Sequence, residues 1–214
     1  MEILGKLFGS SARIKIMRLF LLNADYVFES AEVSKRSKIK IEIVRKEIAL
    51  LTSANFLKKK QSVIRDATPT KSKKKKPIKK RTIGWVFNSN FPYKEEIKKL
   101  LVEANFLKKE ELASRFQGVG KIKLLCASGV FISNPETRVD LMIVGDNIKK
   151  DTLSVVIKEL EAEVGKELLY ALFDTNDFTY RIGMHDKLVR DILDFPHEVI
   201  IDSGSFPQVS SKKL

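Results

Sequence analysis

Apolar residues recur at helical spacing in the first third of the chain and at strand-like density in the last third. Ile14, Met17 and Leu21, widened by Ile16, Leu19 and Phe20, make one face of a helix beginning near Ala12. The hydroxyls of Ser10 and Ser11 stand where they cap it. Arg13, Lys15 and Arg18 fall off that face, and Asn23 is placed to end the helix in the left-handed conformation. Tyr26-Val27-Phe28 reads as a short extended piece. Ser30 then caps a second helix, Ala31 to about Ser37, with Val33 inward, and Lys38-Ile39-Lys40 makes a turn. A third helix, Ile41–Ser53, buries Ile41, Val44, Ile48 and Leu51 and turns Lys40, Arg45, Lys46 and Ala49 outward. Phe56-Leu57-Lys58 and Thr82–Asn88 carry β-formers and pair as a hairpin behind the third helix.

Two linking helices follow. Lys94–Glu103 carries Ile97, Leu100 and Leu101 inward, and Lys108–Phe116 carries Leu112 and Phe116. After Gly118 and Gly120 the period shortens. Lys121–Ala127 and Arg138–Gly145 read as buried strands, Lys150–Val164 as an amphipathic helix, and Leu168–Phe173 as a third strand. Thr175 or Asp177 caps one helix running to Leu193, Pro196 stops it, and Glu198–Ile201 is a last strand. The order β-β-α-β-α-β predicts a mixed sheet with helices packed on it. The fold class is therefore α+β. The expected units are residues 1–90, linking helices over 91–117, a sheet domain over 118–202, and a polar, frayed tail over 203–214.

Composition narrows the function. At 214 residues and 43% apolar content the chain builds a real core. No apolar run approaches the ~18–20 residues that span a bilayer, and no long apolar region follows the first Lys, so neither a membrane partner nor a signal peptide is expected. One cysteine, Cys126, suits a reducing cytoplasm. With two histidines, His185 and His197, it cannot make a zinc cluster, and neither a metal nor a cofactor is expected. Cys126 reads as core, the two histidines as isolated surface residues, and Glu159, Glu161 and Glu163 as solvated helix surface.

Charge changes the picture most. The formal net charge is +13, and twelve Lys and Arg, opposed by Asp66 alone, lie between 58 and 81. They are Lys58, Lys59, Lys60, Arg65, Lys71, Lys73, Lys74, Lys75, Lys76, Lys79, Lys80 and Arg81. Residues 59–81 would form the hairpin's tip, disordered when free, with Pro69 and Pro77 in it. Such a block fits either a polyanionic partner or a solvated loop. Two short helices, a tight turn and a third helix with a basic outer face favour the former. A major groove ~12 Å wide admits one helix, and Arg and Lys reach phosphates and guanine edges. The candidate DNA contacts are Lys38, Lys40, Arg45 and Lys46 together with the twelve basic residues of the hairpin.

Leu7-Phe8-Gly9-Ser10-Ser11-Ala12-Arg13, running into the apolar helix, resembles the opening of prokaryotic winged helix-turn-helix transcriptional regulators. The resemblance extends over the hairpin, to about residue 90. It implies double-stranded DNA binding, with the third helix in the major groove. The second half resembles the minimal nucleotidyltransferase fold, in which a Gly-Ser turn and a Ser-Asp-x-Asp-Leu stretch place metal-binding carboxylates. Here Cys126-Ala127-Ser128-Gly129 stands for the turn and Thr137-Arg138-Val139-Asp140-Leu141 for the stretch. Arg138 replaces the first carboxylate, Asp140 alone remains, and Leu168–Phe173 offers no acid. Ser128, Gly129, Arg138 and Asp140 thus mark a degenerate, non-catalytic nucleotide site. The expectation is a DNA-binding regulator whose second domain senses or interacts. The alternative is an active nucleotidyltransferase with an atypical metal site. Homodimerisation, and a protein or nucleotide effector at the second domain, stay open.

Overall fold

The structure, a computed structural model, describes residues 2–65, 79–103, 108–134, 136–206 and 209. It mixes helix and strand in two compact units, Glu2–Glu96 and Ile97–Leu214.

The first unit is built on α2 (Ser11–Leu22). A short helix α1 (Glu2–Leu7), absent from the periodicity, precedes it. Ser10 caps α2, its Oγ accepting from the Arg13 amide at 3.1 Å. At the other end Asn23 uses its side chain rather than a left-handed backbone: Nδ2 donates to the Leu19 carbonyl at 2.7 Å. α2 is met by α1, by α3 (Ser30–Ser37), by α4 (Ile41–Ser53) and by strand β2 (Lys79–Phe87). This enclosure buries Arg18 completely, although the pattern places it off the apolar face. Arg13 also leaves the solvent: Nε meets Glu47 at 2.8 Å and Nη1 donates to the Phe8 carbonyl at 2.6 Å, tying α2 to α4. Glu29, not Ser30, occupies the cap position of α3.

β1 (Leu57–Arg65) and β2 form an antiparallel ribbon with Leu57 opposite Phe87 and Arg65 opposite Lys79. The expected tip over 59–81 is thus shorter, because 59–65 and 79–81 are paired strand. Val63, Ile64, Thr82 and Ile83 favour extended backbone, and the packed root fixes the register. Phe56 is wholly buried at that root, against Phe87 and Phe91 at 5.1 and 5.3 Å between rings.

The second unit carries a four-stranded sheet in the order β5-β4-β3-β6. β3 (Lys121–Ala127) runs antiparallel to β4 (Leu141–Asp146) and to β6 (Glu198–Asp202), while β5 (Tyr170–Phe173) lies parallel to β4. A parallel pair needs a crossover, and α7 (Lys150–Val164) supplies it. Leu124, Cys126, Met142, Val144 and Phe173 pack on one side against Phe178, Val189 and Ile192. Leu125, Leu141 and Ile143, alternating with them, are wholly buried as well, so both faces of the sheet are covered.

Four expectations change in this unit. The helix expected from Thr175 to Leu193 is two, α8 (Thr175–Gly183) and α9 (Lys187–Asp194), capped by Asp174 and Asp186. The expected Lys94–Glu103 helix is α5 (Lys94–Lys98) continuing as a π-helical turn over Lys99–Glu103. The wider turn rotates the stripe, so Leu101 and Val102 are buried and Leu100 is exposed. α6 (Lys109–Arg115) follows, and its Arg115 takes Glu163 at 3.0 Å, which buries that carboxylate instead of leaving it solvated. Finally the tail is not frayed throughout, since Phe206 and Val209 enter the core and Phe206 meets Phe178 edge-on at 4.9 Å. Among the described residues no helix is long and apolar enough to cross a membrane.

Candidate functional site

The turn between α3 and α4 is closed by small hydroxyls. Ser37 Oγ donates to the Val33 carbonyl and Ser34 Oγ to the Ile39 carbonyl, both at 2.6 Å. Lys38 takes the left-handed conformation at φ 54°, which stops α3 and starts the turn into α4. Val44, Glu47, Ile48 and Leu51 hold α4 against its unit. The opposite face presents Glu42, Arg45, Lys46 and Ala49 to solvent, flanked by exposed Ile43 and Leu50. Lys38 and Lys40 are exposed at the entry to the helix.

The ribbon is fixed to this helical base. The Phe28 and Trp85 amides and carbonyls exchange two hydrogen bonds of 2.8 Å, so the Tyr26–Phe28 segment lies along β2. Gly84 permits that approach: a Cβ there would stand 2.9 Å from the Phe28 carbonyl and overlap Val27. Asn88 Nδ2 donates to the Asn55 carbonyl at 2.7 Å and closes the ribbon's root on the end of α4. Along β1 the residues Lys58, Lys59, Lys60 and Gln61 are all exposed. Successive strand residues point to opposite faces, so these lysines put positive charge on both sides of the ribbon. Arg65, Lys79, Lys80 and Arg81 are placed by their backbone pairing, while Lys71, Lys73, Lys74, Lys75 and Lys76 lie outside the described residues.

Two other cations of this unit, Arg13 and Arg36, are consumed internally. Arg13 pairs with Glu47, and Arg36 pairs with Glu32 while lying over the Tyr26 and Phe28 rings at 5.6 and 5.4 Å. Among the described residues Lys38, Lys40, Arg45, Lys46, Lys58, Lys59 and Lys60 have no acidic partner.

The second candidate cluster is in the other unit. Asp140 is 3% exposed, and its Oδ1 and Oδ2 accept from the Val130 and Leu169 amides, each at 3.0 Å. Its own amide donates to the Leu169 carbonyl at 2.6 Å, and Lys166 Nζ lies 3.7 Å from Oδ1. Ser128 Oγ donates to the Val139 carbonyl at 2.6 Å. Gly129, at φ 58°, starts a 3-10 turn, and a Cβ there would overlap the Asp140 carboxylate. Ser128, Gly129 and Asp140 are therefore brought together, as a clamp between the end of β3 and the start of β5. Arg138 turns away to Asp191 of α9 at 2.7 Å, and the loop holding it, expected as strand, precedes β4. Both Asp140 oxygens are occupied and a lysine stands beside one of them. This donor set does not fit a divalent cation. Among the described residues no three His, Cys, Asp or Glu side chains gather to hold a metal ion. Burial pushes the Cys126 thiol up to about 12, with Asp202 adding to the shift, which removes the reactive thiolate at neutral pH.

The histidines are not isolated from one another. His185, at the break between α8 and α9, and His197, just before β6, line one recess with Arg190 and Asp194 of α9. Their separation in sequence hides this, and only Asp186 before an apolar run signals the helix start that brings them together. Comparison of the chain with protein-family models, with curated proteins and with solved structures finds no match.

Proposed function

We propose that the chain is a double-stranded DNA-binding regulator of transcription. On this reading residues 2–96 are a winged helix-turn-helix in which α3 and α4 are the paired helices and the β1–β2 ribbon is the wing. The observation that carries it is the outer face of α4, where Arg45 and Lys46 stand exposed with no acidic partner among the described residues. A guanidinium there donates two parallel hydrogen bonds to the O6 and N7 of a guanine, while lysines act as point charges on phosphates. The exposed lysines of β1 add backbone contacts, which contribute affinity and register rather than sequence preference.

The second unit, nucleotidyltransferase-like in the resemblance of its sequence, serves as a non-catalytic sensing or interaction module. What favours this over nucleotidyl transfer is the use of Asp140 as a structural clamp. Selection of bound duplexes from random DNA tests the reading. The full chain yields a defined motif, and Arg45→Ala degenerates it at one or two base pairs, each worth about 1–3 kcal/mol of discrimination. A uniform loss of binding on all sequences, or no enrichment by the unmodified chain, contradicts it.

A further inference from the structure

The outward face of α4 has an acid, Glu42, at its centre. Val44, Ile48 and Leu51 are buried along one stripe of the helix. An α-helix turns by about 100° per residue, which puts Glu42 opposite that stripe and Ala49 about two turns further along the same line. Arg45 and Lys46, three and four residues on from Glu42, lie to either side of the line. All four residues are exposed. A helix that enters a groove by the face away from its core therefore carries Glu42 in with it, and Ala49 adds no bulk to hold the helix off.

Glu42 is uncommitted within the chain. Three and four residues is the spacing of intrahelical ion pairs, yet among the described residues neither Arg45 nor Lys46 pairs with it, and no other cation does. Its place in the first turn favours the helix dipole, which sets no demand on what the carboxylate meets outside the helix. Against a duplex the demand is strict. An ionised carboxylate only accepts, so phosphates repel it and only a donor on a base edge can satisfy it. In the major groove guanine shows N7 and O6 and thymine shows O4, all acceptors. Adenine shows its N6 donor beside the N7 acceptor. Cytosine shows the N4 amine with no acceptor of its own beside it, and it is the base that a carboxylate fits.

We infer that Glu42 is a specificity-determining residue, its carboxylate accepting from the N4 amine of a cytosine close to the guanine met by Arg45. The inference rests on the DNA reading and deepens it. The step from Glu42 to Arg45 advances about 4.5 Å along the helix, against about 3.4 Å per base pair, which keeps the two contacts within roughly one or two pairs of each other. The test is selection of bound duplexes from random DNA with the full chain and with Glu42→Gln, Glu42→Ala and Arg45→Ala. Fluorescence anisotropy then measures binding to the selected duplex with each of the four bases at the pair concerned. The unmodified chain prefers cytosine there by about tenfold or more. Glu42→Ala loses that preference, keeps the guanine of Arg45, and binds unselected duplex more tightly because a repelling charge has gone. Glu42→Gln keeps the length of the side chain and gains a donor, so it turns the preference to adenine through N6 and N7. A carboxylate that serves the helix dipole alone behaves otherwise: both variants weaken binding uniformly and leave every base preference in place. That result, with Arg45→Ala still erasing its guanine, overturns the inference and leaves the DNA reading standing. No enrichment by the unmodified chain overturns both.

Discussion

Removing the Asp140 carboxylate tests whether it is a structural clamp. In Asp140→Ala the amides of Val130 and Leu169 lose the acceptors they hold at 3.0 Å in a site 3% exposed. A buried donor left without a partner costs ~1–3 kcal/mol. Two such donors set an upper range of ~2–6 kcal/mol, from which relief of the buried charge subtracts, leaving about 2–4 kcal/mol. Lys166, 3.7 Å away and 41% exposed, adds little because solvent screens it. Asp140→Asn keeps one acceptor and loses about half as much. The assay is urea unfolding followed by far-UV circular dichroism. With a slope of ~1–3 kcal/mol per molar, the midpoint of the 97–214 unit falls by about 1–2 M. Trp85, the chain's one tryptophan, reports the other unit. A carboxylate kept for binding a cation behaves in the opposite way: its removal leaves stability unchanged or raised. An Asp140→Ala midpoint at or above that of the unmodified chain refutes the clamp.

Other perturbations test separate parts of the account. Gly84→Ala places a methyl 2.9 Å from the Phe28 carbonyl, so the Phe28–Trp85 bridge shifts and the first unit loses about 1–3 kcal/mol, read from Trp85 fluorescence in urea; full stability contradicts the close approach. A thiol moved from 9.0 to about 12 has roughly a thousandfold less thiolate at any pH well below both values. Cys126 therefore resists iodoacetamide in the folded chain and reacts at the ordinary rate in urea; rapid native labelling contradicts its burial.

The legible parts of the fold are those in which one face meets one core. The α4 stripe of Val44, Ile48 and Leu51 is such a case, as is the α7 crossover. Arg18 was hidden because its burial comes from elements packed around the whole of α2, which no periodicity within α2 encodes. The division of α8 from α9 was masked by apolar residues that continue at helical spacing on both sides of His185, where φ is 53°. The ribbon's length is illegible for an opposite reason: lysine density reads as loop, yet a two-stranded ribbon exposed on both faces accommodates lysine at every position from 58 to 60. For the candidate sites, the outward set on α4 was readable from helical phase. The recess shared by His185 and His197 required the tertiary fold.

The most direct test of the central claim is the salt dependence of duplex binding, measured by fluorescence anisotropy for the full chain and for a Lys58→Gln, Lys59→Gln, Lys60→Gln variant. Each phosphate contact contributes about 0.9 to the slope of log K against log salt, so the triple substitution flattens the slope by up to about 2.7 while the selected motif stays the same. Duplex binding with identical slopes for both proteins, or no salt-dependent duplex binding by the unmodified chain, contradicts a DNA-bound ribbon.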